Sequence, residues 1–412
     1  MSYFTFLLSN KRWLAGGFLL TFFSSFGQTY FIALSTGHIR QTYDLTSGEY
    51  GSIFMLATLG SAMLLPFLGQ IVDHLSIAKT VILTAVMLGL ACFSMAWSGS
   101  VMVLFFTLFA LRLFGQGMMV HISFTAMGRW YAENRGKAVS VASLGFNFGQ
   151  AIFPISFVAL MGLVGWRNGW LIVAIVTIIV ALPSIVLLLR VERVPRGSEK
   201  DNWDDTIRQW TRNEMLRDPL FWLTTCGVLS TPFISTAIFF HQDYLLALRG
   251  WSADVFALSF VWMTVISITS GLLAGVVVDK TSANDILPWF VVPLGLGCFS
   301  LAFIESQLAM VLFMSLLGVS MGIVTAIFGS LWPELYGTRH LGAIRSVVMA
   351  LMVLFSALGP GVIGWFIDFG VPYSAQLFAM GLYCMTASLV LFYTSRKFKI
   401  RNRAYAGKPV LS

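Results

Sequence analysis

Arg112 stands well inside an apolar run that opens at Val101. If that run is a helix, the arginine lies about 16 Å deep at ~1.5 Å per residue. That is close to the middle of a hydrocarbon layer roughly 30 Å thick. A cation at that depth is costly unless it faces protein or water. Gln116, Met119 and Ser123 follow at helical spacing and share its face. Such an arginine can pair with an anionic solute or follow the occupancy of a solute or proton site. It can equally be structural, hydrogen-bonding carbonyls of the first apolar run.

Other polar residues form stripes in the same kind of setting. Gln28 sits at mid-depth in the first run, with Ser24 and Ser35 on its face. Ser143, Asn147, Gln150 and Pro154 make a second stripe, and Thr231, Ser235, Ile238 and Gln242 a third. Thr264, Ser267 and Ser356 lie deep in later runs. Helices facing lipid do not carry such stripes, so these are expected to turn inward and bind solute. For any one of them the alternative is an ordinary interhelical hydrogen bond of about 0.6 kcal/mol. His241 and Asp243 flank Gln242, and a histidine near a carboxylate can titrate near neutrality. They are candidates for a proton-linked gate, or simply a wet helix end. His121 is expected to be structural. No Asp or Glu falls at mid-depth, and no motif calls for a metal or cofactor. The Gly-x-x-x-x-Gly-Lys phosphate loop of a primary pump is absent, and the chain is not expected to be an enzyme.

The elements that must position these residues follow from composition. The 412 residues are 57% apolar and 11% charged, where soluble domains run near 25% charged. So few charges cannot cover a water-exposed surface, which excludes a soluble enzyme, a disordered chain and a nucleic-acid binder. The apolar runs are long and continuous, so they predict helices rather than barrel strands. Twelve spans are expected: 13–35, 48–72, 79–97, 101–127, 137–163, 166–190, 219–247, 254–278, 286–303, 307–333, 342–367 and 373–394. Thr46 with Glu49 has capping-box spacing, Ser252 can cap the eighth span, and Pro219 fits a first helical position.

With both termini cytoplasmic, all of the 26 basic residues but Arg40, Arg112, Arg167 and Arg249 fall on the inner side. That agrees with the positive-inside rule. The net charge of +8 is then explained by topology and the anionic inner leaflet, without nucleic acid. The expected parts are a bundle over 1–190, a linker over 191–217, a bundle over 218–395 and a basic tail over 396–412. In the linker, Trp203, Ile207 and Trp210 share one face of a helix that could lie on the inner membrane surface. Cys92, Cys226, Cys298 and Cys384 all lie in apolar runs and are expected to be free, buried thiols. Gly145 with Gly149, and Gly318 with Gly322, have the spacing that lets helices pack closely.

A weak internal repeat supports two halves. A shift of 206 residues places Gly69 and Asp73 on Gly275 and Asp279, and Gly136 and Pro154 on Gly342 and Pro360. Six spans followed by six is a parallel repeat about an axis along the membrane normal. Such an architecture puts a binding site near the midplane between the halves.

With these features the chain resembles the major facilitator superfamily over nearly its whole length. Gly69-Gln-Ile-Val-Asp73-His-Leu-Ser-Ile-Ala-Lys79 resembles that family's loop between the second and third spans, although His74, Ser76, Ile77 and Ala78 depart from its usual basic and glycine pattern. Arg112-Leu-Phe-Gly115-Gln116-Gly117 resembles its fourth-span arginine and glycine motif. Trp130-Tyr131, Arg135-Gly136-Lys137-Ala138 and the stretch from Gly337 to Arg345 resemble the monocarboxylate-porter and oxalate:formate-antiporter branches. The acidic and basic pair of the former and the eleventh-span cation of the latter have no counterpart here.

The resemblance implies an all-α polytopic membrane protein that moves a small solute, with Gln28, Arg112, Gln116, Asn147, Gln150, Ser235, Gln242, Thr264 and Ser356 as candidate binding residues. The lack of mid-depth acids and the presence of Arg112 point to an organic anion such as a carboxylate. A larger amphiphile, of drug or siderophore type, is the alternative. The expected partners are the solute, the bilayer and a coupling proton, and the expected working unit is a monomer in a plasma or bacterial inner membrane. The family geometry implies a cytoplasmic gate of Gly69, Asp73, Gly275, Asp279, Arg135 and Arg345, in which each aspartate meets a helix N-terminus of the other half. A carboxylate there gains about 0.3–1 kcal/mol. Asp73→Asn should therefore raise the labelling of single cysteines on the cytoplasmic side, and unchanged accessibility would remove the gate.

Overall fold

In a computed structural model the protein is described over residues 3–131, 135–191, 208–337 and 339–405. The described residues form helices joined by short turns, with no strand among them. Eleven of these helices are long and apolar enough to cross a membrane. They are Ser47–Gly69, Ile77–Trp97, Val101–Trp130, Lys137–Val164, Trp166–Leu189, Pro219–Phe240, Ala253–Val278, Ala283–Phe303, Leu308–Phe328, Ala343–Asp368 and Tyr373–Asn402. A broken pair, Phe6–Gly27 and Thr29–Tyr43, bends by 45° and makes the twelfth; in chain order it is the first span.

The local signals work as expected at several helix starts. Thr46 Oγ1 accepts from the Glu49 N–H at 3.1 Å, and the Glu49 carboxylate accepts from the Thr46 N–H at 2.8 Å. Ser252 accepts from the Asp254 N–H, and Asp218 caps the helix that Pro219 opens. Deeper in the spans, Ser and Thr hydroxyls bond carbonyls of their own helices, as Thr177 does to Val173 and Ser259 to Val255. In a medium without water this satisfies the hydroxyl locally.

Residues cluster into two compact units. One holds 1–200 with 239–244 and 360–365, and the other holds 201–238, 245–359 and 366–412. In the first unit the fifth span lies against the first so closely that a Cβ at Gly145 would stand 2.1 Å from the Phe18 carbonyl oxygen. Arg12 and Trp13 of the first span donate to the carbonyls of Leu188 and Val191 at the end of the sixth. In the second unit the tenth span packs on the eighth, where a Cβ at Gly322 would stand 2.4 Å from the Ser267 carbonyl oxygen. The ninth and twelfth spans are tied by Ser388, which donates to the Pro288 carbonyl at 2.8 Å.

Several sequence expectations need correction. The first span is not the continuous helix 13–35: Gln28 is extended and breaks it. The seventh span stops at Phe240 rather than 247, and a separate helix, Gln242–Arg249, follows. The twelfth helix continues to Tyr405, so the basic residues from Arg396 to Arg401 lie on a helix instead of a tail. Cys226 is exposed, whereas Cys92, Cys298 and Cys384 are buried, and all four are free. Trp203 and Ile207 lie outside the described residues. Trp210 is not on a surface helix; its backbone N–H donates to the Tyr336 carbonyl and its ring packs edge-on against the Tyr336 ring.

Trp210 belongs to a cluster that holds the entry to the second unit. Arg401 pairs with the buried Asp218 carboxylate, donates to the Leu335 carbonyl at 3.2 Å, and lies over the ring of Trp210 at 4.4 Å. Tyr336 donates its hydroxyl to the same Asp218 oxygen at 2.9 Å. Removing one partner of a buried pair strands the other, at about 3–5 kcal/mol. Arg401→Gln is expected to lower the melting temperature of the purified protein clearly more than Arg396→Gln, whose guanidinium only stacks on Phe392. Equal effects would show that the cluster contributes nothing beyond stacking.

Candidate functional site

The site begins with a break that the local sequence makes. Ser24 and Ser25 turn their hydroxyls back onto the carbonyls of Thr21 and Phe22, each at 2.6 Å. The chain tightens into a 3₁₀ turn over Ser24–Gly27, Gln28 becomes extended at φ −83° and ψ 148°, and the helix resumes at Thr29. The Phe31 N–H, which would serve the Gly27 carbonyl in a continuous helix, bonds Gln28 instead. The Gly27 carbonyl is thereby left without a helical donor at the depth of the hydrocarbon.

The fourth span supplies the missing donor. Residues Leu111–Met119 are π-helical, a wider turn with i→i+5 bonding that occurs often at functional positions. Arg112 Nη1 donates to the Gly27 carbonyl and to Thr29 Oγ1, both at 3.1 Å. Its guanidinium lies over the Phe54 ring of the second span at 5.2 Å. The side chain is 2% exposed, and Nε has no partner among the described residues. The two backbones meet at glycines. A Cβ at Gly27 would stand 2.1 Å from the Leu111 carbonyl oxygen, and one at Gly115 would stand 2.6 Å from the Gly27 Cα. Further along the same span, Ser123 donates to the Gly17 carbonyl at 2.8 Å. The face of the fourth span that carries Arg112 and Ser123 is thus bonded to main chain of the first.

Gln28 is buried at the break, and Gln116 is half-buried within the π-helical turn. On the fifth span Gln150 is buried and Asn147 half-buried. These residues therefore come from three mutually packed spans of the first unit. Gln242 also belongs to the first unit; it is buried, and its Oε1 has no partner among the described residues. Ser235, Thr264 and Ser356 belong to the second unit. Their hydroxyls donate to Thr231, Phe260 and Val353 of their own helices, at 2.6, 2.9 and 2.9 Å. His241 is buried, and its Nε2–H donates to the Pro360 carbonyl at 2.9 Å. Asp243 is half-buried beside Gly37.

Among the gate candidates, the Gly69 carbonyl accepts from His121 Nε2 at 3.3 Å, and Gly275 faces open space. Arg345 is exposed. The side chains of Asp73, Asp279 and Arg135 lie outside the described residues. Sequence reasoning overlooked Gly27, Thr29 and Phe54. The run Ser-Ser-Phe-Gly-Gln within an apolar stretch was the available signal for the first two; Phe54 gave none.

A helix broken at mid-depth against a π-helical partner is the kind of backbone that membranes tolerate only where protein or water surrounds it, and that carriers use to bind solutes. The comparisons agree with this class of protein. The family model of the Major Facilitator Superfamily matches residues 17–360. The chain belongs to the major facilitator superfamily. It is 20% identical over 341 residues to the "Uncharacterized MFS-type transporter YhjX" of Escherichia coli (strain K12), covering 82% of this chain and 84% of that one. Its fold is similar to the crystal structure of a bacterial homolog of the human lysosomal transporter Spinster. The unoccupied inward-facing form gives a TM-score of 0.68 at 15% identity, covering 98% of this chain and 99% of that one. The occupied inward-facing form gives 0.63 at 17% identity, covering 98% and 97%.

If Arg112 answers the Gly27 carbonyl, then Arg112→Gln should destabilise the protein in the absence of any solute. An unsatisfied buried acceptor costs about 1–3 kcal/mol, visible as a lowered melting temperature in detergent. A variant that melts with the wild type would refute the capping role.

Proposed function

We propose that the protein is a secondary transporter that carries a small organic solute by rocker-switch alternating access, as a monomer in a plasma or bacterial inner membrane with both termini cytoplasmic. The observation that supports this most is the broken first span, with its freed Gly27 carbonyl, facing the π-helical turn that holds Arg112 and Gln116. Gln28, Gln116, Asn147 and Gln150 are the proposed solute contacts of the first unit, and Ser235, Gln242, Thr264 and Ser356 complete the set. Asp73, Asp279, Arg135 and Arg345 with Gly69 and Gly275 remain the proposed gate on sequence grounds.

The proposed solute is an organic anion such as a monocarboxylate. The stretches at Trp130–Ala138 and Gly337–Arg345 resemble carriers of that class, and Arg112 is the cation available at depth. One of its donors, Nε, is unengaged among the described residues. A second reading, a larger amphiphile, is favoured by the aromatic cluster beside the break. Phe153 lies 4.6 Å from Phe22 and 4.7 Å from Phe26, and Phe31 lies 4.6 Å from Phe157. Aromatic faces of this kind suit an apolar body.

Proteoliposomes loaded with the purified protein separate the two. Uptake of labelled monocarboxylates is expected, falling at least tenfold in an Arg112→Gln variant shown to be folded. Anion flux unaffected by that change would end the carboxylate reading, and saturable uptake of neutral amphiphiles alone would establish the second.

A further inference from the structure

The segment Phe239–Tyr244 has features that solute recognition leaves unused. It follows the end of the seventh span and clusters with the first unit. Phe240 stacks on Tyr50 at 5.0 Å and packs against Phe54 at 4.7 Å. His241 is fixed on the Pro360 carbonyl, and Pro360 belongs to the same unit. Asp243 then comes to lie over Gly37, in the first turn of the helix Thr36–Tyr43. A Cβ at Gly37 would stand 2.4 Å from Asp243 Oδ2, so any larger residue there would push the carboxyl group away.

The surroundings of this carboxyl group are unusual for an acid near a helix end. Among the described residues no hydrogen bond or ion pair reaches it. The helix Thr36–Tyr43 brings His38, which is exposed, and Arg40, whose Nε donates to the Leu45 carbonyl at 3.3 Å. Its own element brings His241, Tyr244 and Arg249, and Arg249 turns to the carbonyls of Leu301 and Ala302. The start of the second span brings Tyr50 and Glu49, the latter held in its capping box. The stretch Pro360–Trp365 brings no titratable side chain. The adjacent Gln242 is buried with its Oε1 unpartnered.

We propose that Asp243 is a proton-binding site and that its neutral form holds Phe239–Tyr244 against the first unit. The role of that proton in coupling rests on the transport reading above; the binding and the docking do not.

The sign follows from the environment. Burial raises the carboxyl pKa, against the opposing pull of Arg40 and His38. The docked segment therefore holds the proton more tightly than the released one. Docking is fully supported below the ordinary aspartate pKa of the released segment and is lost as pH rises through the higher docked value. A carrier built this way docks the segment after taking up a proton and releases it after giving the proton up.

Pulsed electron–electron distance measurements test this without any solute. Labels at Thr42 and Leu248, both exposed, are placed in a chain whose four cysteines are replaced, in nanodiscs. The wild type is expected to lengthen its distance as pH rises, with a midpoint above the ordinary aspartate range. Asp243→Asn should hold the short distance at every pH, and His38→Gln should keep the transition. The inference is overturned by a wild type without a transition, by a transition that persists in Asp243→Asn, or by one that disappears in His38→Gln. Should Asp243→Asn fail to fold, Asp243→Ser, which also carries no titrating group, takes its place: a transition that persists in it overturns the inference. A failed flux assay leaves these distances standing, so the two readings fail separately.

Discussion

A backbone carbonyl released inside a hydrocarbon layer must find a donor, because no water is there to provide one. The rest of the first unit follows from how the Gly27 carbonyl meets that demand. The two serines before it pull the helix into a tighter turn, and the extended Gln28 carries the chain away. Arg112 reaches across from the fourth span to complete the bonding. The same contact solves the arginine's own problem, since a cation at that depth needs acceptors and a polarisable surface. It finds the Gly27 carbonyl, Thr29 Oγ1 and the face of Phe54. Neither irregularity would be tolerable alone in lipid.

The polar stripes divide by chemistry. Short hydroxyl side chains satisfy themselves on their own helices, as Ser235, Thr264 and Ser356 do. Of the amides in these stripes, Gln242 keeps an Oε1 without a partner among the described residues. The arginine is a special case. Its bonds to the Gly27 carbonyl and Thr29 Oγ1 make it a part of the scaffold.

The twelve-span architecture was legible because it depends on composition and on long apolar runs, which are local properties. The capping box at Thr46 and the proline start at Pro219 were legible for the same reason. The depth of Arg112 could be counted from the start of its run, and carbonyls of the first run could be named as one of its two candidate partners, but not which carbonyl, nor that it is the one taken. Gly27 lies far from it in sequence, and only packing decides whether a carbonyl or a solute fills the space. The π-helical form of its turn was not legible either. Nothing in the spacing of Gln116 and Met119 announces a turn with i→i+5 bonding.

The sequence by itself therefore determined the solvent, the number of crossings and the kind of residue placed at depth. Hydrophobicity and helix length are additive along a chain, so they can be read without knowing what touches what. The tertiary structure alone decided that the first helix breaks at Gln28, that Trp210 docks on Tyr336 and Arg401, and that a carboxyl group rests against Gly37. Each of these is a contact between segments distant in the chain, and its energy depends on distances of a few ångströms that no local pattern encodes.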